Sequence, residues 1–221
     1  EVNIKIVLTE IMQSKNNTMN LTARNKLLES MTDEVGEHVL RHNYQQAQAI
    51  SLAEFQAPKN LKRHEKFIQE LEREKGLDRT IEGLPSAEDI DFRIRTGKGL
   101  TRPELCILVS YAKIVFTQDL LASDIPENPD MQQWLIEYFP VAMQKKFPKE
   151  LGQHRLRREI VATMLASSLI NRMGPTFPKA CMKQTGASIA EIAKAYMIVR
   201  DVFGLRNIWK SIEDLDNKVP A

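Results

Sequence analysis

The stretch "RTGKGLTRPELCILVSYAK", residues 95–113, decides how this chain is read. Two glycines flank Lys98 and a threonine follows at 101. The segment is therefore either a loop that cradles phosphate or the junction between two helices. A phosphate loop needs several glycines, so that backbone N–H groups converge on the anion, and a strand in front of it. Only Gly97 and Gly99 are present here. The Walker pattern needs Gly-Lys-Ser/Thr, but Gly97-Lys98 is followed by Gly99. The dinucleotide fingerprint needs a third glycine three places after the second, and position 102 is Arg. The preceding "EDIDFRIR", residues 88–95, reads as a capped helix. The junction reading accounts for more of the residues. Thr101 is an N-cap, Arg102 and Pro103 fall in the first turn, and Glu104 at N3 closes a capping box. The glycines let the chain leave one helix and enter the next.

The same punctuation recurs outward from this point. Ser86 with Asp89 and Ser188 with Glu191 fit the capping box. Thr32 before Asp33 and Glu34 reads as an N-cap with acids where the helix dipole favours them. Gly76 sits where a C′ glycine belongs, and "MGP", residues 173–175, stops a helix. Nearly every apolar pattern has a period near 3.6, and no strand hairpin or internal repeat is visible. The expected helices span 2–14, 22–30, 32–56, 58–75, 86–96, 101–122, 127–138, 149–173, 175–185, 188–203 and 205–215. The fold class is all-α, a multi-helix array in two lobes. Residues 1–57 form the first division, 58–85 a charged helical connector, and 86–221 a C-terminal helical domain. The connector's thin stripe of Leu61, Ile68 and Leu71, with Phe67 beside it, predicts a mostly exposed amphipathic helix.

Composition narrows the function classes. Lys+Arg is 31 and Asp+Glu is 29, a formal net charge of +2, which gives no reason to expect a nucleic-acid partner. No apolar run is long enough to span a bilayer. Cys106 and Cys181 each lie inside an apolar pattern and read as buried free thiols of a reducing, cytoplasmic compartment. Glycosylation-type triplets at Asn16 and Asn20 read as chance matches. The opening "EVNIKIVLTE" lacks a basic n-region, and the chain begins without Met inside a strong apolar pattern, as an excised piece of a longer protein would.

Candidate chemistry is sparse. Glu34, His38 and His42 share one helical face at i, i+4 and i+8, a spacing that could hold a metal, but no second pair of ligands is evident. A solvated polar face is the competing reading. "HRLRRE", residues 154–159, with Lys145, Lys146 and Lys149, forms a basic cluster that could bind an anion or pair with acids elsewhere. Met164 and Met173 read as core, and Asn171-Arg172 as partners for backbone carbonyls at a helix corner. No Ser/His/Asp order, CxxC pair or HExxH appears. No catalytic, cofactor-binding or metal residue is assigned.

Several strings carry a resemblance: "EVNIKI" (1–6), "MTDEV" (31–35), "VLRHNYQQAQAISLA" (39–53), "GLTRPELCILVSYAKI" (99–114), "LLASDIPENP" (120–129), "YFP" (138–140), "HRLRREIVATMLASSLINRMGPTF" (154–177) and "VFGLRNIWKSIEDLDNKVPA" (202–221). Together they resemble the very large NAD-specific glutamate dehydrogenases of the bacterial type. The resemblance implies a C-terminal helical portion of an enzyme that converts L-glutamate and NAD to 2-oxoglutarate, ammonium and NADH. It implies that the NAD- and glutamate-binding residues lie upstream, outside residues 1–221. The chain itself is then expected to bind no NAD, to be inactive alone, to contact an upstream catalytic domain and to belong to a homo-oligomer. Two other roles stand beside it: an effector-binding regulatory module and a stand-alone helical adaptor. In such an enzyme residues 2–14 would pack on the dinucleotide-binding sheet, so their apolar face is expected to be uncovered here, or to fold back on the 22–56 lobe.

Overall fold

A computed structural model of the chain describes residues 1–14, 19–216 and 218. Asn16 lies outside the described residues. Thirteen α-helices are present among them, and no strand: α1 Val2–Gln13, α2 Leu21–Ser30, α3 Thr32–Lys75, α4 Arg79–Glu82, α5 Ala87–Arg95, α6 Arg102–Leu121, α7 Gln132–Glu137, α8 Val141–Lys146, α9 Pro148–Gly152, α10 Arg157–Met173, α11 Phe177–Thr185, α12 Ile189–Val202 and α13 Leu205–Glu213. Two 3₁₀ turns, Ile125–Glu127 and Pro129–Met131, stand before α7 where one helix over 127–138 was expected. The all-α class is as the periodicity predicts.

The centre is the pair α6 and α10. α6 buries Leu105, Leu108, Val109, Ala112, Val115, Phe116 and Leu120, and α10 buries Ile160, Val161, Ala162, Leu165, Ala166, Leu169 and Ile170. Both sets recur at spacings of 3 and 4, one face of each helix. Ala162 and Ala166 are fully buried, which lets the helix backbones approach closely. One apolar cluster runs from Ile4 of α1 to Met197 of α12.

Four expectations are corrected. The first is that residues 32–56 and 58–75 are separate helices; they form one 44-residue helix that runs through Pro58. Proline has no N–H to bond four residues back and costs about 3 kcal/mol in a helix interior. Here the helix faces that flank it are packed: Ala57 and Leu61 are buried, and the α5–α6 junction lies against it at Ala57 and Pro58. The second is that 58–75 is mostly exposed. Leu61, His64, Phe67, Ile68 and Leu71 are all buried, so this charged half of α3 enters the core by a narrow stripe, while the half before it buries only Ala49 and, beside Pro58, Ala57. The third is that Thr32 is an N-cap. The cap position is Met31, and Thr32 is already helical, its Oγ1 donating to the Leu28 carbonyl at 3.3 Å.

The fourth concerns α1. Its apolar face is covered within this chain. Ile4, Val7, Leu8 and Ile11 are buried, and the helix lies against α9. Polar bonds fix it there. The Asn3 amide donates to the Tyr138 hydroxyl at 2.9 Å, and Arg155 Nε donates to Glu10 at 2.7 Å. Smaller differences follow the same logic. The expected 149–173 helix breaks at His154 into α9 and α10. Met164 is half-buried and Met173 is exposed, so Met173 is not core.

Candidate functional site

The α5–α6 junction is closed by an ion pair. Arg93 near the end of α5 donates through both terminal nitrogens to Glu104 of α6, at 2.6 and 2.9 Å, and also to the Gly99 carbonyl at 3.3 Å. Glu104 further accepts the Thr101 N–H at 2.7 Å. Burial alone would raise the Glu104 pKa, but the Arg93 and Thr101 hydrogen bonds outweigh it and hold the carboxyl below its ordinary value. Gly97 turns the chain with φ +67°. Gly99 has an ordinary φ but is pressed against α3: a Cβ there would lie 2.5 Å from the Ala57 Cβ and 2.7 Å from the Pro58 nitrogen. Backbone packed this closely has no space to receive a phosphate. The two glycines and Lys98 form a helix junction.

The face at Glu34, His38 and His42 is put to other use. Glu34 accepts the Val141 N–H at 2.8 Å and so caps the start of α8. Burial, followed by the charges of His38, Arg41 and Lys113, lowers the His42 pKa. Positive neighbours of this kind oppose a bound cation. Among the described residues no group of three or more His, Cys, Asp or Glu side chains is placed to hold a metal ion.

The basic cluster is divided among the interior, salt bridges and solvent. His154 is fully buried. Its Nδ1 accepts the Leu156 N–H at 2.9 Å, which leaves Nε2 as the donor to the Asn3 carbonyl at 3.2 Å. Arg155 pairs with Glu10, and Arg158 with Glu127 and the Leu121 carbonyl. Lys145 and Lys149 remain exposed, and Lys146 lies over the Phe147 ring. Of the cluster, His154 is the structural member: it latches α1 to the α9–α10 corner. Replacing His154 with alanine leaves the Leu156 amide and the Asn3 carbonyl unpaired. We expect a loss of about 1–3 kcal/mol in chemical denaturation, with faster amide exchange confined to residues 2–13. Unchanged exchange in α1 would contradict the latch.

Three further polar clusters stand out, of which those at Arg79 and Arg200 went unread in the sequence. Arg79 uses its whole guanidinium, donating to Glu65, Glu72 and the Pro85 carbonyl at 2.7–3.1 Å. The Glu72 hydrogen bond is the leading cause that raises its pKa. It lines an open cleft of about 750 Å³ with Gln69, Asp78 and Ser86, but its charge is already answered. Arg200 is buried with its guanidinium 4.0 Å from the Trp134 ring centroid and paired with Asp201. Arg172 bonds Gln48 and Glu213 and stacks on Trp209, so it meets side chains rather than the expected backbone carbonyls. The Asn171 Oδ1 is buried without a partner. Cys106 and Cys181 are free and half-buried, and Asn20 caps α2 by accepting the Ala23 N–H. No helix among the described residues is long and apolar enough to cross a membrane.

Residues 97–221 match the family model described as glutamate dehydrogenase, C-terminal. The chain belongs to that family. Its match begins at Gly97, the residue on which the junction turns, and takes in α6 and α10. Residues 1–53 match a second model, bacterial NAD-glutamate dehydrogenase, catalytic domain. Between the two lie the buried half of α3, α4 and α5. Curated relatives of this glutamate dehydrogenase segment are each named NAD-specific glutamate dehydrogenase. The protein from Halomonas elongata is 45% identical over 221 residues, that from Pseudomonas aeruginosa 44% over 221, and that from Mycobacterium tuberculosis 35% over 212. These alignments take in 100%, 100% and 96% of this chain, which spans only 13–14% of the length of each relative.

Proposed function

We propose that this chain is a helical portion of an NAD-dependent glutamate dehydrogenase and serves as a structural and interaction module within it. The enzyme would oxidise L-glutamate with NAD and water to 2-oxoglutarate, ammonium and NADH. The observation that supports a structural role is the self-closure of the polar clusters. Arg79, Arg93, Arg155, Arg158 and Arg172 each have a carboxylate of this chain as partner. Such groups hold helices together and leave little charge for a substrate. On this reading no residue of the chain is catalytic, binds NAD or holds a metal. NAD would bind the catalytic domain of the same polypeptide, in a cytoplasmic homo-oligomer. Residues 1–57 would continue that domain, 58–85 connect, and 86–221 form the C-terminal helical domain, a division that the family matches at 1–53 and 97–221 support.

Calorimetry tests the central claim. Titrating NAD, with and without L-glutamate, into the purified chain should give no saturable heat, and the mixture should show no NADH absorbance. A micromolar NAD constant would overturn the reading. One observation favours a second role: Lys145 and Lys149 stay exposed beside α8 and α9, as an effector-anion site would require. A nucleotide or 2-oxoglutarate that raises the melting temperature, with the rise abolished by Lys145→Ala and Lys149→Ala together, would establish that role instead.

A further inference from the structure

Where α3 and α6 pack together, basic side chains gather without an acid to answer them. His38 and His42 stand four residues apart on one face of α3. Lys113 comes from α6, close enough for its charge to act on the His42 ring, as the charges of His38 and Arg41 also do. Lys113 is half-buried, and that burial lowers its pKa. Arg79, Arg93, Arg155, Arg158 and Arg172 all meet carboxylates of this chain. Lys113, His38 and His42 have no hydrogen bond or ion pair among the described residues. Glu34, one turn before His38, gives an oxygen to the Val141 N–H, and Glu37 forms no ion pair with any of the three. An ammonium that loses part of its water and gains no acceptor is costly, and like charges beside it add to the cost. An anion removes both costs at once, because the lysine and both protonated imidazoles can donate charge-assisted hydrogen bonds to it.

We propose that Lys113, His42 and His38 form a binding site for a small free oxyanion, a carboxylate or a phosphate, held between α3 and α6. A free anion can reach it, because His42 is exposed and His38 half-buried. Lys113 is the anchor: it is the member that has given up water and the one whose charge does not depend on pH near neutrality. The two imidazoles add donors, and Arg41 adds charge beside them. The site shares no residue with the Lys145 and Lys149 pair, and the proposal does not rest on the proposed function.

Histidine side-chain NMR of the chain at about pH 6.5 tests this, since exposed imidazoles are then half protonated. Inorganic phosphate and succinate are titrated in separate arms, each against sodium chloride of equal ionic strength. The expected result is a saturable shift of the His38 and His42 ring signals, with half-saturation at ~1 mM, while the buried His64 and His154 rings stay in place. The arm that saturates at the lower concentration tells phosphate from carboxylate. Lys113→Met keeps the apolar stem and removes the charge. It should weaken binding about tenfold or more, with circular dichroism and melting temperature no lower than the parent's, because an unpaired half-buried charge is gone. His42→Gln, at an exposed position, is the second variant and should weaken the His38 response about threefold or more. Shifts that chloride reproduces at equal ionic strength, no saturable shift in either arm, or a response that both variants leave unchanged would each overturn the proposal. None of these readouts involves NAD, so failure here and failure of the proposed function are read separately.

Discussion

Gly99→Ala should destabilise the chain by about 3 kcal/mol or more, close to the upper range of single overpacking substitutions. The methyl group would sit 2.5 Å from the Ala57 Cβ, 2.6 Å from the Ala57 carbonyl carbon and 2.7 Å from the Pro58 nitrogen. Two of those three atoms are backbone, so no rotamer change relieves the clash. Relief requires the α5–α6 junction to move off α3, and that movement strains the Arg93–Glu104 pair, which is largely screened from solvent. Two neighbours provide the scale. Gly97→Ala meets no atom within 4 Å but forces a side chain into φ +67°, which costs about 1–2 kcal/mol. Lys98→Ala removes an exposed side chain and should fall within about 0.5 kcal/mol of the parent. Urea denaturation of the three variants should therefore rank Gly99 above Gly97 above Lys98. A phosphate-binding loop would make Lys98 the important position. A Gly99→Ala protein as stable as the parent would refute the packing described here.

How much of this was legible in the sequence depends on how far apart the partners are. The Ser86–Asp89 and Ser188–Glu191 boxes and the Thr101 N–H bond to Glu104 could be read because the two halves of a cap lie three residues apart. Helix periodicity is equally local, and so the all-α class and most of the helices follow from pattern alone. The resemblance in "GLTRPELCILVSYAKI" and "HRLRREIVATMLASSLINRMGPTF" pointed to the family that the comparisons then showed. Pro58 was misread because proline's local penalty is real, and only the packing of Ala57, Leu61 and Gly99 outweighs it. His154 was misread for a related reason. In sequence it opens a basic run, "HRLRR", whereas its partner Asn3 is 151 residues away. Arg79 and Arg93 find carboxylates 7 to 14 residues away across a turn, a spacing that carries no fixed sequence signature. Which face of α12 meets the core is likewise set by distant partners, α6, α10 and α11.

His64 should make the stability of the chain depend on pH in a window set by its burial. It lies in the core half of α3 with 2% of its surface exposed, and its Nδ1 has no hydrogen-bond partner. Burial lowers its pKa from 6.5 to about 4, because a charged imidazole loses its water there and gains nothing in return. In the unfolded chain the same ring titrates near 6.5. Above that value neither state binds the proton and His64 contributes no pH dependence. As pH falls from 6.5 towards 4 the unfolded state takes up a proton that the folded state refuses, and stability declines. Below about 4 both states are protonated and the loss is complete, at about 3 kcal/mol. Carboxylates held below their ordinary pKa, Glu104 and Asp89 among them, lose stability in the same direction but at lower pH. His42, whose pKa burial also lowers, adds to the loss of stability in the same direction as pH falls. The quantity to measure is therefore the difference between the chain and its His64→Leu variant. Leucine fills a similar volume and removes both the titrating group and the unpaired nitrogen. Denaturation midpoints taken between pH 7 and pH 4 should show the variant gaining on the parent progressively as pH falls, with most of the gain between 6.5 and about 4. Parallel profiles for the two proteins would mean that His64 is protonated in the fold and has a partner, and the account of its buried nitrogen would have to be abandoned.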